Sequence, residues 1–377
     1  MEAKEPLLPP AGETVKSKPA VAASMALRPL TAKGLLASAL IMVVVEVLFG
    51  LYSFLTAKAL HGTSLSPLAF AWIRDAIAAA SLLIAAFIYE RRSKAPADRR
   101  FLPSEGDWPR FLACGFFGIW GAQGLSALAL ANLDAIVFSI FQPLLPLITL
   151  VIGTAAGVEP PLRAREPVSM AKVFGVAIAV GGACFVVWSS SHSKSGSSGV
   201  SGGSPVVGAT FLFLQLLLGA TYAVVQKPLL SSYSPLFVAA WGYTAGLGLL
   251  SLSTATTATH AADWDFSLSA FGAVAFAGFG ASALAYGLMA QANALSGPLV
   301  VTAFFPLLPL TTALISWAAT GEAIAPEQAG GAAGIALGLG LVLAAKRVEG
   351  RAQLAKPAPA ANSTVDSEVA TVTVAYD

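Results

Sequence analysis

The chain carries little charge. Across 377 residues, Asp, Glu, Lys and Arg make up 11%, whereas an ordinary soluble domain has roughly 25%. That scarcity argues against a soluble globular enzyme. The 22 basic and 20 acidic residues nearly cancel to +2, which leaves no basic field for nucleic acid. Cysteine is scarce too: Cys114 and Cys184 both sit in apolar runs and cannot build a disulfide framework. The three histidines, His61, His192 and His260, fall in expected loops at separations that suggest no metal site. C-x-x-C, HExxH and P-loop patterns are missing, so no catalytic residue, metal, cofactor or ATP-driven pump is expected. What the chain has instead is apolar residues, 56% of the total, with a mean hydropathy of +0.74. Segments that apolar bury themselves in something and do not stay disordered.

The apolar residues are gathered into runs. A bilayer core of roughly 30 Å takes about 20 apolar residues as a helix. Runs of that length cover approximately 34–57, 67–89, 109–131, 134–157, 170–190, 206–227, 235–257, 267–290, 297–319 and 328–345. The expected fold is therefore an all-α membrane protein with ten transmembrane helices. The first run is too long for a signal-peptide core, and the stretch before it holds Glu2, Glu5 and Glu13, so it reads as a retained helix. With both termini cytoplasmic, the inside segments hold nineteen Lys and Arg residues. The outside segments hold only Lys58 and Lys194, and Arg74 lies within a span. That asymmetry follows the positive-inside rule. It does not say whether the membrane is the plasma membrane or an endomembrane.

Composition divides the chain further. Residues 1–33 and 346–377 read as disordered cytoplasmic tails, and the Ser/Gly-rich 191–205 reads as a flexible linker. The linker separates two five-helix units, 34–190 and 206–345. FQPLLPLIT (Phe141 to Thr149) and FFPLLPLTT (Phe304 to Thr312) lie 163 residues apart, and Glu159 and Glu322 share that offset. Ser66-Pro67-Leu68 corresponds to Ser234-Pro235-Leu236, Gly50 to Gly219 and Glu46 to Gln215. An odd number of spans per unit makes the second enter from the opposite face, the inverted-repeat plan recurrent in secondary transporters.

On these residues the sequence resembles the EamA-type drug/metabolite transporters. The likeness covers 34–345 and rests on the proline-containing fourth helix of each unit and the glutamate that follows it. It is closest over TGEAIAPEQAGGAAGIALGLGLVLAAKR (Thr320 to Arg347). The first unit, VEPPLRAREPVSMAKVFG, has extra residues and no Gly before Glu159. WIRDAIAAASLLIAAFIYERR (Trp72 to Arg92) is similar to the plant-type subgroup related to the walls-are-thin protein. The resemblance implies transport of metabolites, amino acids, auxin-like acids or drugs, without naming one.

Candidate site residues come from what a span tolerates poorly. A central Asp, Lys or Arg costs roughly 2.5–3.5 kcal/mol on insertion scales, and Glu46, Arg74 and Asp75 are the ionisable groups well inside spans. Glu46 lies about 18 Å from one face and Arg74 about 12 Å from the other at 1.5 Å per residue, hence at similar depth. They are expected to pair or to share a water-filled cavity, either as an anion binder with a proton-sensitive partner or as a fixed ion pair. Asp75, about 100° from Arg74 around the helix, is expected to face something else. Pro143, Pro146, Pro306 and Pro309 interrupt backbone hydrogen bonding at matching places, which points to a path-lining site near the midplane or to packing kinks. Gln142 lies beside the first break, with the apolar Phe305 as its counterpart. Gln215, Tyr222 and Tyr243 join the candidate site, and Trp72, Gln123, Trp241, Tyr286 and Gln291 form a weaker set. Gly330, Gly334 and Gly338 form a small-residue face, packed internally or against a second copy. The partners expected are the bilayer and a small-molecule substrate, with the chain a monomer or homodimer. The function expected is a secondary transporter working by alternating access, proton-coupled through Glu46. A nucleotide-sugar or sugar-phosphate exchanger and a non-transporting receptor or scaffold are the alternatives.

Overall fold

The computed structural model describes residues 31–60, 65–93, 100–133, 138, 141–163, 165–193, 205–320 and 326–354. Most of the expected tails and of the Ser/Gly linker, together with Glu322 and His61, lie outside the described residues. The helices in chain order are α1 (Ala32–Leu60), α2 (Pro67–Ser93), α3 (Glu105–Asn132), α4 (Gln142–Ala155) and α5 (Pro167–Ser193). Then follow α6 (Pro205–Ser232), α7 (Pro235–Thr257), α8 (Leu268–Phe276 continuing through Ala277–Leu284 into Ala285–Ser296), α9 (Pro298–Ala319) and α10 (Pro326–Leu354). Among the described residues, α1, α2, α3, α6, α7, α8 and α9 are long and apolar enough to cross a membrane. α4 and Pro167–Gly182 of α5 are shorter apolar helices. The chain is an integral multi-pass membrane protein.

Prolines punctuate this order. α2, α5, α6, α7, α9 and α10 each begin on one, where the fixed φ suits a first turn and the missing N–H is not needed. Before α7, Ser234 Oγ accepts the Phe237 N–H at 3.4 Å, satisfying one of the open donors of that turn. Between α8 and α9 stands Gly297 with φ +90° and ψ 168°, a conformation essentially confined to glycine.

The two parts of the chain interleave. α1 packs on α8 and α9, α2 on α7 and α8, α3 on α6 and α7, α4 on α6, and α5 on α10. Within spans, π-helical stretches occur at Gly115–Gln123 of α3 and Ala277–Leu284 of α8. Short 3₁₀ turns occur at Gln142–Leu144 and Phe305–Leu307, 163 residues apart, and these two turns pack against each other. Glycine makes the wide turns usable: a Cβ on Gly118 would lie 2.4 Å from the Tyr222 ring, and one on Gly278 would lie 2.7 Å from Ile77.

Glycine also joins α5 to α10. A Cβ on Gly338 would fall 2.4 Å from the Ala179 nitrogen and the Gly175 oxygen, and one on Gly182 would fall 2.7 Å from the Gly331 oxygen. The backbones touch, so Gly334 and Gly338 serve contact within the molecule. Where this helix pair ends, four charges meet. Lys346 bonds Glu159, Lys172 bonds Glu349, and the cross pairs Lys172–Glu159 and Lys346–Glu349 are 3.7 and 3.4 Å. Glu159 and Lys172 are fully buried there. α10 therefore continues to Leu354, past the boundary expected at 345, because Lys346 and Glu349 belong to a packed cluster and not to a tail.

The α5–α10 contact is testable by thermal melting in detergent. Gly338→Leu should lower the melting temperature sharply, costing about 3 kcal/mol, because the obstructing atoms are backbone. Gly340, which has open space around it, should accept Ala with a gain of up to about 1 kcal/mol from helix propensity. Equal melting of Gly338→Leu and the unaltered chain would refute the close contact.

Candidate functional site

One cavity lies where the breaks and the wide turns converge. From the first part of the chain it is lined by Phe49, Tyr52 and Ser53 of α1, Ala122, Gln123 and Ser126 of α3, Phe138, and Gln142 at the start of α4. The second part supplies Gln215 of α6, Ala281, Ser282 and Tyr286 of α8, and Phe305 and Leu308 of α9. The π stretches place Gln123 and Ser282 on its wall, and the 3₁₀ turns place Gln142 and Phe305 there. About 50 Å³ is open to the centres of water molecules, room for a few waters at 10–15 Å³ each. A metabolite is larger, so it fits only if the surrounding helices part.

Among the described residues the lining is neutral. Its polar groups are amides and hydroxyls, set among phenylalanines. Gln142 donates from Nε2 to Gln215 Oε1 at 3.2 Å, joining α4 to α6 across the cavity wall. The equivalent positions in the other parts of the repeat are Phe305 and Glu46. Phe305 cannot bond a carboxyl; its ring lies 5.9 Å from that of Phe49. Glu46 is wholly buried, and neither carboxyl oxygen has a hydrogen-bond partner among the described residues.

The expected pairing of Glu46 with Arg74 is not what the structure contains. Arg74 is gripped by its chain neighbour: Nε donates to Asp75 Oδ1 at 2.9 Å and Nη2 to Asp75 Oδ2 at 3.3 Å. Nη1 donates to Tyr52 Oη at 2.7 Å. Arg74 and Asp75 are both wholly buried. Equal depth in the membrane does not set the direction a side chain takes around its helix. The Glu46 carbonyl accepts the Thr311 hydroxyl at 3.1 Å, so that turn of α1 faces α9, away from α2. The guanidinium is long and forked enough to fold onto the adjacent carboxylate, which overcomes the 100° step that seemed to separate Arg74 from Asp75.

The other expected residues fall into layers. Gln142 and Gln215 line the cavity. Pro143 and Pro146, Pro306 and Pro309 are buried in and just after the two 3₁₀ turns, where they shape the backbone beside it. Tyr243 and Tyr222 stand behind the wall: the Tyr243 ring is 5.3 Å from Tyr286 at 90°, and that of Tyr222 is 6.0 Å from it. Gln123 Nε2 donates to Tyr243 Oη at 3.1 Å, and Gln226 Nε2 to Tyr222 Oη at 2.8 Å. Trp72 bonds Ser251 at 2.8 Å, Trp241 meets Trp108 edge-on, and Gln291 is exposed. Lys227 Nζ bonds the Asn293 carbonyl at 2.6 Å, closing the end of α8. Sequence reasoning missed Tyr52 and Ser53. A signal for them existed: with Phe49 they form an i, i+3, i+4 stripe on α1.

Breaking the buried pair on one side should cost more than removing it. Asp75→Asn leaves an uncompensated guanidinium and should lose about 3–5 kcal/mol of stability. The double change Arg74→Met with Asp75→Leu should lose clearly less. Melting temperatures of the three proteins, purified in one detergent, decide it. A double change as damaging as Asp75→Asn would mean that the pair itself holds the helices.

Three comparisons bear on this arrangement. The model of the EamA-like transporter family matches residues 36–188 and again 206–344. A WAT1-related protein of Arabidopsis thaliana is 28% identical over 309 residues, covering 78% of this chain and 81% of its own length. A protein of known crystal structure, 17% identical, superposes with a TM-score of 0.61 over 84% of this chain and 99% of that one, a likeness of fold. Two family matches placed on either side of the linker, with apolar helices converging on a neutral central cavity, give one conclusion: the chain belongs to the EamA-like transporter family, whose members are membrane transporters and not enzymes.

Proposed function

We propose that the protein is a secondary transporter that moves a small organic metabolite, an amino acid or organic acid, by alternating access. Its ten helices act as ten spans in two inverted five-helix repeats, with both termini cytoplasmic. One observation carries the reading: a single cavity is walled by α1, α3 and α4 and by their counterparts α6, α8 and α9. A site built from equivalent helices of two repeats sits where rocking of one repeat against the other exposes it to either side. The repeated family match and the 163-residue spacing of the two 3₁₀ turns support the same plan.

The neutral lining favours a solute of little net charge, a zwitterion or a monocarboxylic acid, over a phosphate ester. Phosphates are held by several Arg or Lys donors. Here the donors of Arg74 go to Asp75 and Tyr52, and Lys227 is turned to backbone carbonyls. A nucleotide-sugar or sugar-phosphate exchanger is therefore the weaker alternative. A receptor or scaffold is the other alternative, and it predicts no flux. Proton coupling is assigned to Glu46, a buried carboxyl whose oxygens have no partner to fix their protonation state.

Flux into proteoliposomes tests the reading, with a panel of amino acids, organic acids and nucleotide sugars, each with and without a pH gradient. Saturable uptake of an amino acid or organic acid, accelerated by the gradient, is the expected result. Glu46→Gln should keep the gradient-independent flux and lose the acceleration. Uptake of nucleotide sugars alone would favour the exchanger. No flux of any panel member by a folded protein would overturn the transporter assignment.

A further inference from the structure

Arg74 sits close to the cavity without lining it; Tyr52 lies between them. The hydroxyl of Tyr52 accepts the Arg74 Nη1–H at 2.7 Å, and Tyr52 forms part of the cavity wall. Arginine is a donor with no acceptor, so the phenolic proton takes no part in that bond. The same oxygen that accepts from the cation has its own O–H to give elsewhere. A hydroxyl that accepts a charge-assisted bond is polarised, which strengthens the bond it donates. Asp75 completes the arrangement. By occupying Nε and Nη2 it fixes the fork so that Nη1 points at Tyr52, and it cancels the charge of the guanidinium. Tyr52, a residue of the cavity wall, thereby keeps a polarised O–H that the arginine does not use, and the charge of the guanidinium behind it is balanced by Asp75.

From this geometry we infer that the Tyr52 hydroxyl is a solute-binding donor, which recognises a carboxylate or carbonyl oxygen of the transported molecule. Arg74 and Asp75 are its positioning residues and do not touch the solute. The inference rests on the transporter reading above and narrows its substrate class. A solute with an acceptor oxygen beside a neutral or apolar body is selected, and the same body without that oxygen is not. The phenylalanines of the wall, Phe49, Phe138 and Phe305, supply the surface for the body.

Uptake of L-phenylalanine and of phenylethylamine into proteoliposomes isolates the contribution of the carboxylate, because the two probes differ in that group alone. The unaltered protein should prefer phenylalanine. Tyr52→Phe keeps the ring and removes the donor; it should raise the KM for phenylalanine about tenfold, the worth of one hydrogen bond to a charged acceptor, and leave phenylethylamine unchanged. Arg74→Lys cannot hold Asp75 by two bonds and Tyr52 by a third, so it should raise the phenylalanine KM in the same direction with kcat less affected. Protection against thermal unfolding by the two probes in detergent gives the same comparison without flux. Preference for phenylalanine that survives Tyr52→Phe in a folded protein overturns the assignment of Tyr52 and leaves the transporter reading standing. Absence of uptake of both probes, and of every member of the wider panel, by the unaltered protein overturns both.

Discussion

A chain placed in hydrocarbon has to satisfy its own backbone, because no water is there to do so. Helices meet that demand and leave no room for a solute. Much of this structure is the working-out of the conflict. Where a path is needed, the helices are altered and not ended: α3 and α8 widen into π stretches, α4 begins with a 3₁₀ turn at Pro143, and α9 is interrupted by one at Pro306. Glycine lets neighbouring helices close in on the widened turns, as Gly118 does beneath Tyr222. The alterations gather around one cavity.

The same demand governs the few charges. Arg74 and Asp75 neutralise each other and reach the cavity only through Tyr52. Glu159, Lys172, Lys346 and Glu349 form a closed set at the end of the α5–α10 pair. These groups are expensive to bury singly and tolerable in matched sets. Glu46 departs from this pattern. Its equivalent in the repeat, Gln215, has Gln142 for a partner, while the position that would serve Glu46 is taken by Phe305. A broken symmetry thus leaves one titratable group beside a neutral site.

Much of this was legible from composition and spacing. Sparse charge and long apolar runs specify membrane helices whatever their packing, because transfer of apolar surface is additive along a segment. The internal match of FQPLLPLIT with FFPLLPLTT located the paired breaks, since proline acts on its own backbone and needs no neighbour to do so. Gln142 and Gln215 were both within reach, one beside a break and the other at the repeat position of Glu46. The helix ends were less legible: α10 continues past the apolar run because the charges that follow it are paired in space.

What the sequence determined by itself was therefore local: apolar helices, their interruptions, the internal match of two segments, and which rare polar residues lie inside. Partnership was decided by the tertiary structure alone. Arg74 turns to Asp75 and Tyr52, and Glu46 remains unpaired, because depth along a helix can be counted from residues while the direction of a side chain around it depends on which helices pack alongside. The α1 turn carrying Glu46 faces α9, the forked guanidinium reaches its own neighbour, and Tyr52 acquires its place at the cavity wall from both.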